Sequence, residues 1–129
     1  MARKPDIRPW IYKAEEDYRA ALTLARKRKD PVPDNVCFSG QQCVEKYLKA
    51  FLVYHRRGFP KTHDLVELLK IALLVDPLLE AIRANVRELL PYAVAFRYPG
   101  EEATKEESQR AVLAMKYVRE FLRQRLGLP

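Results

Sequence analysis

Apolar residues recur along this chain at helical spacing, and no segment alternates between apolar and polar positions as a half-buried strand would. The most apolar stretch is NVCFSGQQCVEKYLKAFLVY at residues 35–54, which has no glycine or proline after Gly40. On a helical wheel, its apolar residues cover more than half of the circumference and its polar residues form the remaining stripe. The apolar set is Val36, Cys43, Val44, Tyr47, Leu48, Ala50, Phe51, Leu52 and Tyr54, and the polar set is Gln42, Glu45, Lys46 and Lys49. Because so wide an apolar arc needs several neighbours, we expect this to be the central helix of a bundle, with Cys43, Tyr47 and Phe51 in the core.

Four further stripes of apolar residues predict helices over residues 9–29, 62–75, 77–96 and 104–125. The residues expected to face the core are Trp10, Ala14, Tyr18, Ala21, Leu24 and Ala25 in the first of these, Leu78, Ile82, Val86 and Leu89 in the third, and Ala111, Met115, Val118 and Leu122 in the last. The sequence therefore predicts an all-α protein, an up-and-down four-helix bundle with an additional short helix, forming one domain over residues 1–129.

Capping and turn residues predict where the central helix begins and ends. Asp34 or Asn35 is expected to cap its first turn, because short polar side chains accept hydrogen bonds from the free N–H groups there. Gly58 is expected to end the helix in a left-handed conformation, and Pro60 prevents its continuation.

Similar signals place the ends of the other helices. The basic segment ARKRKD at residues 25–30 is expected to lie at the end of the first helix, where cations complement the helix dipole. Thr62 is expected to start the next helix, with Asp64 in its first turn. Pro91 lies within the 77–96 helix, so we expect a kink or a break near Arg87–Leu90.

The chain carries 24 lysine and arginine residues against 17 aspartate and glutamate residues, a formal net charge of +7. This balance favours an anionic partner such as RNA, a nucleotide or an acidic protein surface, although a surface charged for solubility would give the same balance. No apolar run reaches membrane-spanning length and the first residues lack the apolar core of a signal peptide, so we expect a cytoplasmic protein that does not enter a membrane.

The two cysteines, Cys37 and Cys43, lie six positions apart on the predicted central helix, about 120° apart around its axis, and cannot bond to each other there. We expect buried reduced thiols and no metal site, because this neighbourhood lacks further ligands. The sequence also contains no glycine-rich phosphate loop, no paired histidines at metal spacing and no nucleophile elbow. It therefore identifies no catalytic residue and predicts no cofactor.

A few polar residues are candidates either for structural ion pairs or for a functional site. Asp17 falls inside the inward stripe of the first helix, so we expect Gln42 or Lys46 to hold it. Lys46 and Lys49 beside Glu45 form either a solvated face with local ion pairs or part of a ligand site.

The only histidines are His55 and His63. His63 follows Thr62 at a predicted helix start, where backbone N–H groups are free for an anion, although a single histidine at such a place is more often a capping or loop-packing residue. Arg57 and His63 together form a loose R-x5-H pattern that would suit a phosphate-binding cation with a general acid–base.

The segment RYPG at residues 97–100 places an arginine and a tyrosine on a proline-constrained loop before the last helix. Arginine can bind a phosphate with two N–H groups, and tyrosine can stack on a base. In the alternative interpretation, Arg97 caps the preceding helix and Tyr98 packs against the end of the bundle.

Four segments together resemble the HEPN domain family of small helical-bundle proteins. They are WIYKAEEDYRA at 10–20, CFSGQQCVEKYLKAFL at 37–52, THDLVELL at 62–69 and RYP at 97–99. The resemblance covers nearly the whole chain, and it implies a bundle of four to five helices that is commonly dimeric. It also implies pairing with a minimal nucleotidyltransferase, in a toxin–antitoxin or nucleotide-handling system.

The resemblance also implies where an RNA-cleaving site would lie. Family members that cut RNA carry an arginine followed four to six residues later by a polar residue and a histidine, just before the last helix. Arg97 stands at that place, but YPGEEATK follows it and contains no histidine. Members often have histidine where Ser39 stands here, which is a second departure from the family pattern.

These observations favour a dimeric module that binds a nucleotide or RNA, with Arg97 and Tyr98 as ligand contacts and His63 and Lys46 as secondary candidates. The alternatives are a metal-independent ribonuclease with a degenerate arginine–histidine motif and a subunit that only holds a partner protein. We also expect a homodimer, in part because Leu113 and Tyr117 lie on the last helix opposite its core stripe; this exposed pair is either incidental or part of a dimer seam.

Overall fold

The computed structural model describes residues 3–94 and 97–129. Within these residues there are five α-helices and no β-strand, which confirms the all-α prediction. The helices are α1 (Arg8–Ala25), α2 (Pro33–Tyr54), α3 (Leu65–Val75), α4 (Arg83–Leu89) and α5 (Lys105–Arg125). Two 3₁₀ segments, Pro77–Ile82 and Leu90–Tyr92, flank α4.

Helix α2 is the central element, as predicted, and it packs against α1, α3, α4 and α5. Cys43, Tyr47 and Phe51 are all completely buried. At Gly40, a Cβ atom would lie 3.5 Å from Leu89 and 3.7 Å from the carbonyl oxygen of Ala111, so α2 approaches both α4 and α5 closely there. The core of the protein is therefore built around a single helix.

Helix α1 is shorter than the predicted 9–29 segment. It ends at Ala25 with Arg26 as its C-cap, so the basic residues follow the last turn instead of lying within it, and their role at the helix dipole stays a prediction. Ala14 and Ala21 are buried as expected, whereas Ala25 is exposed. Lysine and arginine residues after Ala25 instead form a basic loop that leads into α2.

Both ends of α2 differ from the prediction. The N-cap is Val32, without a side-chain hydrogen bond, because the helix already begins at Pro33. Asp34 lies in the first turn, where its Oδ1 accepts a hydrogen bond of 2.7 Å from the backbone N–H of Ala103. This carboxylate therefore ties the start of α2 to the segment before α5 instead of capping its own helix.

The left-handed residue that ends α2 is Arg56, with φ of 58°, and not Gly58. The backbone N–H of Arg56 donates to the carbonyl of Val53 at 3.0 Å, and that of Arg57 donates to the carbonyl of Leu52 at 2.9 Å. These two bonds form a Schellman motif, which satisfies carbonyls at the helix end. They compensate the roughly 1–2 kcal/mol that a left-handed conformation costs a residue with a side chain.

The segment predicted as one helix over 77–96 is divided into two 3₁₀ segments with α4 between them. Asp76 caps the first 3₁₀ segment, since its Oδ1 accepts a bond of 3.1 Å from the N–H of Leu78. The break before Pro91 is confirmed, because α4 ends at Leu89. Leu78 is 62% exposed and Leu79 is buried in its place, since a 3₁₀ turn rotates side chains differently from an α-turn. Ala95 and Phe96 lie outside the described residues.

Helix α5 begins with a complete capping box formed by Thr104 and Glu107, which explains its start at Lys105. Its predicted inward residues Ala111, Met115, Val118 and Leu122 are all buried. Leu113 and Tyr117 are 66% and 48% exposed, as expected of residues outside the core stripe. None of the described helices is long and apolar enough to cross a membrane.

The packing of α2 leads to a stability prediction. Phe51→Ala removes a fully buried aromatic ring, and it should lower the free energy of unfolding by about 3–5 kcal/mol because it removes apolar contacts and leaves a cavity in the core. Leu74→Ala is the matched control, since Leu74 is 74% exposed and its truncation should change stability by less than about 0.5 kcal/mol. Urea denaturation measures both; similar losses in the two variants would contradict the central position of α2.

Candidate functional site

Arg97 lies in the loop before α5, where it packs against the preceding turn. Its Nη2 donates to the carbonyl oxygen of Pro91, and its guanidinium lies 5.6 Å from the centre of the Tyr92 ring. No carboxylate of the described residues forms an ion pair with it, so its charge is not neutralised. The interpretation of Arg97 as a cap is thus supported by the Pro91 contact, but one carbonyl leaves most of its N–H groups for a ligand.

Tyr98 is 62% exposed on the same loop. Its carbonyl accepts a hydrogen bond of 3.0 Å from the N–H of Glu101, and Gly100 has φ of 92°, so the two residues form a defined turn. The N–H of Gly100 donates to the carboxylate of Glu102 at 2.8 Å. Tyr98 and Arg97 are thus adjacent on one loop, with the ring of Tyr98 largely exposed to solvent.

His63 is fixed by groups of α2. Its Nδ1 lies 2.8 Å from Oε1 of Glu45, and its carbonyl oxygen accepts a bond of 3.0 Å from Nε2 of Gln41. The side chain nevertheless remains 67% exposed. Asp64, and not Thr62, caps α3, since its Oδ1 accepts from the N–H groups of Val66 and Glu67. The expected free N–H groups at this helix start are therefore already used in part.

Glu45 was assigned by its spacing to a solvated stripe, and this is wrong. The residue is only 4% exposed, and its carboxylate contacts three groups. Besides His63, these are Nζ of Lys49 at 3.1 Å and Nε2 of Gln41 at 3.3 Å. Glu45 is buried because α3 and the loop before it cover this face of α2, and a buried carboxylate needs such partners.

Lys46 forms an ion pair with Asp17 of α1, which confirms the predicted partner of Asp17. Both side chains are about one quarter exposed, at 25% and 24%. The charge of Lys46 is therefore largely compensated within the protein, and this weakens its case as a ligand contact.

The four candidate residues do not converge on one site. Arg97 and Tyr98 share the loop before α5, His63 belongs to the Glu45 network, and Lys46 belongs to the contact between α1 and α2. Within the part of the chain that the structure describes, no hydrogen bond or ion pair links Arg97 to His63 or Lys46. Any shared function of these groups would need a ligand large enough to reach from one to another.

A polar cluster that the sequence reasoning missed joins α1, α2 and α5. Glu15 accepts hydrogen bonds from Nε and Nη2 of Arg119 at 2.7 and 2.6 Å, and from the hydroxyl of Tyr47 at 2.5 Å. Arg123 donates to the same hydroxyl at 3.0 Å. The bonds from Arg119 hold the pKa of Glu15 below its usual value, whereas burial raises the pKa of Tyr47. The available signal was the position of Arg119 one turn after the core residue Met115.

Both cysteines are buried free thiols, as predicted. Burial raises the pKa of Cys37 to about 11 and also raises that of Cys43, so neither is a reactive thiolate at neutral pH. Among the described residues there is no cluster of histidine, cysteine and acidic side chains that would hold a metal ion.

Comparison with known proteins gives one match. A protein-family model described as HEPN domain matches residues 7–125, which is nearly the whole chain. No curated protein and no solved structure matches significantly.

The Glu15 cluster leads to a prediction about pH. Because the pKa of Glu15 is lowered in the folded state, its pairing contributes stability in full above the ordinary glutamate value of 4.5, and this is lost as the pH falls through the lower folded value. Glu15→Gln should therefore be less stable than the wild type at pH 7, and the difference should shrink below pH about 4. Denaturant midpoints measured from pH 7 to pH 3 check this, with the exposed Glu16→Gln as control. A difference independent of pH would show that the charge of Glu15 is unimportant.

Proposed function

The chain belongs to the HEPN domain family, and we propose that it is a nucleotide- or RNA-binding component of a toxin–antitoxin or nucleotidyltransferase pair. The observation that carries this proposal is the family match over residues 7–125, which supports a nucleotide- or RNA-related module in general. The pairing with a nucleotidyltransferase is the finer part of the proposal, and it rests on the resemblance of the motifs at 37–52, 62–69 and 97–99.

Arg97 is the proposed anion contact. It precedes α5, and its charge faces no carboxylate partner among residues 3–94 and 97–129. The Pro91 carbonyl and the Tyr92 ring hold its side chain in place, so little side-chain entropy is lost when a phosphate binds. Tyr98 adds an exposed aromatic ring on which a base can stack.

His63 is a secondary candidate and Lys46 a weaker one. With Nδ1 of His63 directed at Glu45, its second ring nitrogen is left for a ligand. Lys46 offers less, because Asp17 compensates its charge.

Binding is favoured over RNA cleavage because the general acid–base is missing beside Arg97. Residues 98–105 contain no histidine, and His63 is held by α2 in a different network. A ribonuclease would need a second group to move the proton of the attacking hydroxyl. Incubation with labelled RNA in the absence of metal ions, followed by a denaturing gel, distinguishes the two activities.

Arg97→Lys should weaken the binding of single-stranded RNA or of a nucleoside triphosphate about tenfold, which is about 1.4 kcal/mol, because lysine cannot bind a phosphate with two parallel N–H groups. Fluorescence anisotropy at fixed salt measures the affinity. Arg87→Lys is the matched control, since Arg87 is an exposed arginine close to Arg97 in sequence. The thermal midpoint of Arg97→Lys should match that of the wild type. Lower stability with unchanged binding would make Arg97 a structural residue.

The expected homodimer provides another test. Tyr117 is 48% exposed and its ring stacks on that of Phe121 at 6.5 Å, which gives α5 an apolar face away from the core. Light scattering should give twice the chain mass of 15.1 kDa. Tyr117→Asp should shift the protein toward monomer, because a charge in an apolar seam is costly. Tyr12→Asp alters an exposed aromatic residue of α1 instead and should leave the mass unchanged. A monomeric wild type at micromolar concentration would refute the dimer.

A further inference from the structure

An open groove runs between the end of α1 with its basic loop, the first turn of α2 and the first half of α5. Its volume is about 1080 Å³, at the upper end of the range for small-molecule pockets, and it is open along one side. Four lysine and arginine residues line it, and none of the lining residues is acidic. The remaining lining is mostly aliphatic, and it includes Leu24, Val32, Val112 and Leu113.

The cations at the rim are not compensated by the protein. Arg26, Arg28 and Lys105 form no ion pair with a carboxylate of the described residues. Because α1 ends at Ala25, these arginines also lie beyond its last helical turn. Only Lys27 is engaged, as its Nζ donates to the carbonyl oxygens of Lys29 and Asp30. The rim therefore keeps its positive charge for a partner.

The floor of the groove is aliphatic and partly open to solvent. Leu113 is 66% exposed, and Leu24 and Val112 are half-buried. No aromatic ring lines the groove, so it offers no platform for stacking a base. Aliphatic side chains between two helices are instead the usual receptor for the apolar face of a third helix.

We propose that this groove binds an acidic amphipathic helix of a partner protein. The partner's aliphatic side chains fill the floor beside Leu113 and Val112, and its carboxylates pair with Arg26, Arg28 and Lys105. Charge complementarity selects this occupant, because a partner with acidic flanks is attracted to the rim and to a chain of net charge +7. Two copies that met through this groove would bring their basic rims together, so the homodimer proposed above is assigned to the face of Tyr117 and Phe121 and not to the groove.

The proposal does not depend on nucleotide binding, since the groove and the loop of Arg97 are formed by different residues. The frame of the groove is also rigid. Pro31 and Pro33 fix the backbone of the entry into α2, and α5 is anchored by its capping box. A preformed groove loses little entropy on binding, which favours a helix that docks by its side chains alone.

The test uses a synthetic helical peptide of about 18 residues, with leucine at i, i+3, i+4 and i+7 and glutamate along both flanks. A matched peptide carries lysine in place of glutamate, and a single-stranded RNA of similar charge serves as the nucleic-acid probe. Fluorescence anisotropy measures binding to the wild-type protein and to its variants. We expect the acidic peptide to bind and the basic peptide not to bind.

Arg28→Glu and Leu113→Asp should each weaken binding of the acidic peptide at least about tenfold, through the rim and the floor respectively. Lys70→Glu is the control for the first, because it changes the net charge equally on an exposed residue of α3. Leu74→Asp is the control for the second, because Leu74 is 74% exposed outside the groove. Both controls should change the affinity less than about twofold, and all variants are exposed substitutions that should fold.

Several outcomes would overturn the proposal. One is the absence of acidic-peptide binding, and another is equal weakening by Lys70→Glu and Arg28→Glu, which would indicate a general charge effect. Loss of RNA binding in the groove variants, without any peptide binding, would make the groove a nucleic-acid site. Loss of self-association in Leu113→Asp, without peptide binding, would make it an interface between two copies. Arg97→Lys should leave peptide binding unchanged, so failure of the proposed nucleotide function is distinguished from failure of this one.

Discussion

The fold depends on covering the apolar surface of α2. More than half of its circumference is apolar, and no single neighbour can bury so wide an arc, so α1, α3 and α5 pack around it. This requirement also forces Glu45 and Gln41 into the interior, because they lie on the same covered helix. Their hydrogen bonds to each other, to Lys49 and to His63 keep the buried charge paired, so the polar network follows from the apolar packing.

The elements that sequence reasoning predicted well are those that depend on long apolar periodicity. The spacing of many apolar residues along α2 and α5 indicates where these helices lie and which of their residues are buried. Helix ends depend on one or two local contacts and were predicted less well. Gly58 was the expected left-handed residue, but the hydrogen bonds at the end of α2 place Arg56 there. Asp34 or Asn35 was the expected cap, but the N-cap is Val32, and Asp34 instead accepts a hydrogen bond from the segment before α5, 69 residues away.

Sequence reasoning brought candidate residues together where they are neighbours in the chain or where an inward charge needed a partner. Arg97 and Tyr98 are neighbours on one turn, so their adjacency needed no tertiary information. The burial of Glu45 was not predictable, because its spacing on α2 matches a solvated stripe and only the position of α3 covers it. The partner of Asp17 was predicted because an inward carboxylate requires a cation or amide, and Lys46 is the residue that faces it.

The cluster around Glu15 bears on the order in which the chain folds. Glu15 is hydrogen-bonded to Tyr47, 32 positions further along the chain, and to Arg119, 104 positions further along. During synthesis, α1 and α2 emerge first, and at that stage the carboxylate of Glu15 has only the hydroxyl of Tyr47 and water as partners. The pairing is completed only after α5 has emerged from the ribosome, because Arg119 lies in α5 and the long intervening chain must close to bring it to Glu15. A nascent chain therefore gains this connection between α1 and α5 only after α5 has emerged from the ribosome.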